Sequence, residues 1–434
     1  MNLLFVFGVV CESIDLRYYK PEQIHLSLGN QDTEMIVTWA AQYPSPYASV
    51  EYTQQDSGTN SVFSSKGLWT HFPNLDFPHN ILQRILYTCH ATMANLTLGS
   101  FYNYRVGSNE HGWSPIFTFK AKKDFSKDPI TRVIIYGDLG ISPENELTID
   151  SILNETQVFD YDAIVHNGDF AYDFNSNNGQ KGDIFMKEIE PVASKVPYMV
   201  SIGNHEKGKR ILHYYHRFTM PGDNLNLFYS FNLGNVHFLA YSTELAFDRW
   251  TYLQREQEKF INKDLTSYNK ERHPWLVVFG HRPLYCSANL THSGKLPRRK
   301  PPLVRNNVDC LTQAPVVRSN FEALWIKYKV DLVVSSHVHA YERFKSIKKG
   351  KAEKCKEEKL NRVVGCKAPI YVVSGNPGQD ESYAPVSPTP LELSVFQDDH
   401  VGFGRITAFN QSHLLWEQVV SNSSEVVDYL WIIK

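Results

Sequence analysis

The chain has 434 residues, more than one hydrophobic core ordinarily organises, so two or more domains are expected. A composition that is 42% hydrophobic, 21% charged and 13% aromatic belongs to a folded globular protein and argues against extensive disorder. The formal net charge of −2 gives neither nucleic acid nor an anionic membrane an electrostatic hold on the chain.

The apolar run from Asn2 to Cys11 fits the core of a secretory signal peptide over residues 1–13, with a buried N-terminal strand as the competing reading. No other stretch approaches the roughly 20 apolar residues that cross a bilayer, so stable membrane insertion is not expected. Sequons at Asn95, Asn154, Asn289, Asn410 and Asn422 are candidate glycan acceptors. They agree with secretion or with residence in a lysosomal or other endomembrane lumen. Over residues 21–123, short runs such as Met35-Ile36-Val37-Thr38-Trp39 alternate between turn signals, which predicts an antiparallel β-sandwich. Its residues 96–106 (LTLGSFYNYRV) resemble the tyrosine corner of fibronectin type III-like domains, with Tyr102 as anchor. The polar residues 120–129 read as a linker.

Residues 130–434 alternate strand-like and helical patterns, the helices falling at 144–157, 248–268 and 314–329, and predict a layered α/β domain of two packed sheets flanked by helices. The tail from about residue 368 reads as strands that complete the second sheet. Five apolar, β-branched runs in this region each end in a residue that can bind metal. They deliver Asp138; Asp169 with Tyr172 three residues on; Asn204-His205-Glu206; His281; and His337-Val338-His339. Buried strands of α/β sheets gather sites at their carboxyl ends. Taken singly, each residue has a structural reading, as a cap, a turn former or a packed aromatic. Together, two carboxylates, a phenol, an amide and three imidazoles would be a costly set to bury unsatisfied, and two metal ions account for them. Glycines before Asp138, Asp169, Asn204 and His281 are expected to let the backbone turn there.

The motifs Gly137-Asp138, Gly168-Asp169-Phe170-Ala171-Tyr172, Gly203-Asn204-His205-Glu206, Gly280-His281 and His337-Val338-His339 resemble, in this order, those of the purple acid phosphatases, a branch of the calcineurin-like metallophosphoesterases. The likeness reaches from the sandwich to Gly402-Phe403-Gly404-Arg405. It implies a ferric ion on Asp138, Asp169, Tyr172 and His339, and a divalent zinc, iron or manganese on Asp169, Asn204, His281 and His337, with Asp169 bridging. It further implies hydrolysis of small phosphate monoesters at acidic pH by a metal-held hydroxide. His205 is then expected to contact phosphate and protonate the leaving group, with Glu206 orienting it.

Two departures from the family pattern stand out. Ser336 replaces a glycine before His337, which matters if that position needs positive φ. The loop after His281 carries a single displaced histidine, His292, as a further substrate-contact candidate, and a glycan on Asn289 would crowd the same place. Basic runs at Lys295, Arg298, Arg299 and Lys300 and at Lys345, Lys348, Lys349 and Lys351 read as solvated loops, with attraction of anionic substrate as the alternative. Cys286 with Cys310 and Cys355 with Cys366 bracket local loops and are expected to pair, leaving Cys89 as a buried thiol. Competing functions are a phosphodiesterase or nucleotide phosphohydrolase on the same metals, or a catalytically dead extracellular binding protein. A homodimer is a candidate assembly.

Overall fold

The computed structural model describes residues 15–55, 58, 61–74, 84–247, 251–287, 309–379, 386, 387 and 390–434. The expected signal segment, Asn289, His292 and the basic run from Lys295 to Lys300 lie outside the described residues.

Alternation in the N-terminal part produces two antiparallel sheets. One runs Glu22–Leu28, Met35–Ala41, Ile85–Met93 and Leu68–Pro73; the other is built on Ser49–Gln54 and Phe101–Ser108. Their inward residues, among them Val37, Trp39, Val50, Tyr104 and Val106, are buried to within a few per cent. Tyr102 Oη accepts a 2.9 Å hydrogen bond from the Thr97 amide, closing the corner that residues 96–106 imply. Residues 120–129 are no free tether. Lys123 is buried, donates to Ile130 O at 3.0 Å and lies 3.5 Å from the buried Asp162 carboxylate.

The second part stacks two mixed sheets. In the first, Tyr198–Ser201, Ala163–Asn167 and Thr131–Tyr136 lie parallel, and Gly402–Ala408 then pairs antiparallel with Thr131–Tyr136. In the second, Val236–Ala240, Trp275–Phe279, Leu332–Ser335 and Ile370–Ser374 are parallel neighbours. Their residues are buried on both faces, as continuous Val/Ile/Leu runs require. The tail differs from expectation. Ile370–Ser374 joins the second sheet, whereas Gly402–Ala408, His413–Val420 and Val426–Ile433 extend the first. Antiparallel neighbours need only short connections, so these three consecutive strands stay together as a meander.

Helices Pro143–Val158, Thr251–Ser267 and Ala314–Tyr328 fall where the periodicity places them. A further helix, Gln180–Ala193, packs on the Glu22–Leu28 strand of the sandwich. The two parts are joined there by Ile24 N donating to Glu190 Oε2 at 2.9 Å, Ser27 Oγ to Thr219 O at 2.6 Å and Tyr104 Oη to Ser194 O at 2.7 Å. Disulfides link Cys286 to Cys310 and Cys355 to Cys366, and Cys89 is a buried free thiol.

Candidate metal centre

All five expected strand ends meet at one edge where the two sheets face each other. The Asn167 side chain ties them together: Nδ2 donates to Gly280 O at 3.2 Å and Val334 O at 3.3 Å in the second sheet, while Oδ1 accepts from Ser201 Oγ in the first. Asp138 N donates to Gly168 O at 3.0 Å, which holds two neighbouring ends in step.

The sharp turns differ in origin from what the sequence implies. Of the glycines that precede the expected ligands, only Gly168 has positive φ, +85°. The left-handed residues are themselves the metal-binding types: Asp138 (+65°), Asp169 (+54°), Tyr172 (+49°) and His337 (+69°). Gly203 is needed for space, because a Cβ there would fall on the Asp169 carboxylate. Ser336 is not among the positive-φ residues, and its hydroxyl donates to Ser374 O at 3.1 Å, so the replaced glycine leaves no strain.

These turns aim the donors at one another. Asp169 Oδ2 lies 3.1 Å from His281 Nε2, which in turn is 3.3 Å from Asn204 Oδ1. Asp138 Oδ1 lies 3.3 Å from His339 Nε2 and 3.2 Å from Tyr172 Oη, and Tyr172 Oη lies 2.8 Å from His339 Nε2. Donor atoms of Asp169, His281 and His337 all fall within 4.8 Å of one another. His281 Nδ1 bonds to Asn167 O at 2.9 Å, which puts the proton on that nitrogen and leaves Nε2 as the basic one.

Electrostatics shows that this pocket draws in positive charge. Asp138 and Asp169 are almost wholly buried. Burial alone would raise the Asp169 pKa, but the charges of His281 and His205 outweigh it and hold the carboxyl well below its ordinary range. Burial likewise opposes a charge on His281, yet Asp169 and then Asp138 raise that imidazole to about 9. His337 goes the other way: burial, then the Arg282 charge, holds it neutral, the form that ligates. Two buried carboxylates facing neutral or proton-attracting imidazoles, a phenol and an amide suit cations, so the donor set fits a pair of metal ions.

Around the donors lie His205 and Glu206, expected from their motif, together with Asp173, Arg210, Glu244, Lys207 and Arg282, which the sequence did not single out. The His205 ring lies tilted against Tyr172, centroids 4.6 Å apart, and its Nδ1 is 3.0 Å from Asp173 Oδ1, which also pairs with Arg210. Asp173 therefore sits where Glu206 is expected to orient His205. The Glu206 carboxylate instead accepts from three backbone amides: Asp169 N at 2.9 Å, Gly203 N at 3.0 Å and Phe170 N at 3.0 Å. Glu244 grips Arg282 (Nε–Oε1 2.6 Å) and Lys207 (3.2 Å), placing two cations beside the site. Lys348, Lys349 and Lys351 are exposed on a hairpin, as solvated charges are.

A double-sheet α/β fold with oxygen and nitrogen donors at its facing strand ends defines the calcineurin-like phosphoesterase class, and residues 131–341 match the family description "Calcineurin-like phosphoesterase". Residues 21–121 match "Purple acid Phosphatase, N-terminal domain", and residues 368–429 match "Iron/zinc purple acid phosphatase-like protein C". The chain is 33% identical to human acid phosphatase type 7, an alignment covering 100% of this chain and 95% of that protein. A probable inactive purple acid phosphatase 27 of Arabidopsis thaliana is 29% identical over 95% of this chain and 69% of its own length. The solved purple acid phosphatase PPD1 from yellow lupin seeds superimposes with a TM-score of 0.79 at 27% identity, over 96% of this chain and 74% of that one. The chain belongs to the purple acid phosphatase family. The iron/zinc domain match and the donor cluster point to a binuclear metal centre. Two disulfides, and no described helix long and apolar enough to cross a membrane, are consistent with a secreted or lumenal protein.

Proposed function

We propose that this chain is an acid phosphatase that hydrolyses small phosphate monoesters. The observation that carries the reading is the facing of Asp138, Asp169, Tyr172, Asn204, His281, His337 and His339 across one buried pocket. Asp138, Asp169, Tyr172 and His339 would hold a ferric ion, and Asp169, Asn204, His281 and His337 a divalent zinc, iron or manganese, with the Asp169 carboxylate shared. Such a pair supplies an acidified water as nucleophile and neutralises charge on the phosphoryl oxygens.

The chain's own side chains do the rest. Arg282 and Lys207, fixed by Glu244, offer cationic donors to an arriving phosphate. His205 is aimed by Asp173 through Nδ1, and its Nε2, 3.9 Å from Asp169 Oδ2, passes a proton to the ester oxygen as its bond to phosphorus breaks. Water and a monoester then yield alcohol and inorganic phosphate. Export through the secretory route agrees with the disulfides, and Asn95, Asn154, Asn410 and Asn422 are exposed, as glycan acceptors must be.

Turnover of a chromogenic phosphate monoester and of the corresponding diester at acidic pH, by protein of measured metal content, tests this. Monoester turnover should dominate. Two bound ions with no turnover would refute it in favour of a binding protein, and diester preference would make the chain a phosphodiesterase.

A further inference from the structure

His337 is held unlike the other imidazoles of the pocket. Its Nε2 lies 2.9 Å from Arg282 Nη1 and 3.4 Å from Asp309 Oδ1, whereas its Nδ1 makes no hydrogen bond among the described residues. Those two neighbours demand opposite things of one nitrogen. Arginine only donates, so its contact requires a bare Nε2 and places the single proton of a neutral imidazole on Nδ1. An ionised carboxylate only accepts, so its contact requires Nε2–H and leaves the Nδ1 lone pair free. A ring nitrogen that carries a proton cannot bind a cation.

Resting on the two-metal reading above, we propose that Asp309 is a positioning residue that selects the metal-competent tautomer of His337, with Arg282 as its built-in competitor. Each contestant has its own anchor. Gln313 Nε2 donates to Asp309 Oδ1 at 2.6 Å, and the neighbouring Cys310 is disulfide-linked to Cys286, five residues beyond His281, so Asp309 is stapled to the strand end that carries another donor. Arg282 is clamped by both oxygens of Glu244, at 2.6 and 3.2 Å. With the Nδ1 lone pair given to a cation, the single proton of His337 would sit on Nε2, where it would bond to Asp309 and displace Arg282 Nη1. That donor then becomes available to an anion, which ties the loading of metal to the readiness of a phosphate contact. Partners that orient a ligating histidine through its other nitrogen change metal affinity by about 10–100-fold in other systems.

The test titrates zinc alone into metal-free full-length protein against a chromophoric chelator. Wild type should bind two ions. Asp309→Asn should bind one of them about 10–100-fold more weakly, the other equally, with unchanged thermal unfolding of the metal-free protein. Asp309→Glu should recover part of the loss, and Arg282→Gln should tighten the same ion. A measurement free of folding effects is the nitrogen-15 spectrum of His337 in zinc-loaded wild type, which should show the proton on Nε2. A proton on Nδ1, or two wild-type affinities in Asp309→Asn, overturns the role of Asp309 while leaving the phosphatase reading intact. A wild type that binds no zinc overturns both.

Discussion

Asp138, Asp169, Tyr172 and His337 occupy left-handed backbone that costs L-residues roughly 1–2 kcal/mol each. The compensation lies in the surrounding bonds: Asp138 Oδ2 accepts from His337 N at 2.7 Å, and Asp169 Oδ1 from His205 N at 2.9 Å, so each carboxylate fixes a turn with one oxygen and faces the pocket with the other. Tyr172 offers the sharpest single-residue test. A ferric phenolate gives a visible charge-transfer band, so wild type with bound iron should be coloured and Tyr172→Phe should keep iron yet lose the colour. A colourless, iron-loaded wild type would remove Tyr172 from the ligand set. His205→Ala should lower kcat by about 10²–10⁴-fold at unchanged metal content, the usual range for a lost proton donor. Asp173→Asn should act in the same direction and less, and full activity in that variant would deny Asp173 its aiming role. The residues that meet in the pocket were legible because they end, or closely follow, β-branched runs. Glu244 and Asp309 were not, because tertiary packing brings them in from positions with no spacing relation to the motifs, and Asp173, although it follows Tyr172 directly, is set apart by no pattern of its own. Glu206 was legible as important and misread in role, since sequence adjacency to His205 says nothing about three amides contributed by two loops.

Those loops form a unit at the next scale. Glu206 binds the start of the Asp169 turn and the Asn204–Glu206 turn together, so two strand ends of the first sheet keep one geometry. Glu206→Gln replaces one acceptor oxygen by a donor facing backbone N–H groups. Unfolding free energy should fall by about 1–3 kcal/mol and affinity for the ion pair should drop with it. Denaturant melts with and without metal would show this, and unaltered stability would mean the carboxylate is dispensable. The helix Gln180–Ala193 was not among the expected ones; it carries Gly182 and Pro191, two residues that weaken a helical pattern. Its structure explains Gly182: a Cβ there would meet the Arg217 guanidinium at 2.9 Å. The tail was expected to complete one sheet and divides between two, because strand order across a double sheet is a matter of long-range pairing, which local pattern does not encode.

Across the molecule, the junction between sandwich and hydrolase carries two buried histidines. Burial, then the Arg217 charge, lowers His213 to about 2, where it bonds Asn74 Oδ1 at 2.8 Å. Burial lowers His25 to about 4, and it packs edge-on to Phe218. Both pKa values lie below the unfolded value of about 6.5, so the unfolded chain binds more protons as pH falls. Stability from these residues is therefore complete above about pH 6.5 and lost on acidification, for His25 by about 3 kcal/mol once pH passes about 4. Unfolding free energy of metal-free protein should decline over that window, and His25→Gln should flatten the decline. An equal slope in the variant would exonerate His25. The two-part architecture itself was readable from the change of period near residue 130, whereas the buried histidines that couple the parts carry no mark in the sequence.

The strand that ends in Asp138 has Ala163–Asn167 on one side and Gly402–Ala408 on the other. During synthesis, one flank is supplied almost at once and the second only after nearly all the remaining polypeptide has left the ribosome. A metal ion reaching a half-made chain would therefore meet an open-sided strand, so loading of the proposed centre is expected after translation, once the late meander has closed the sheet.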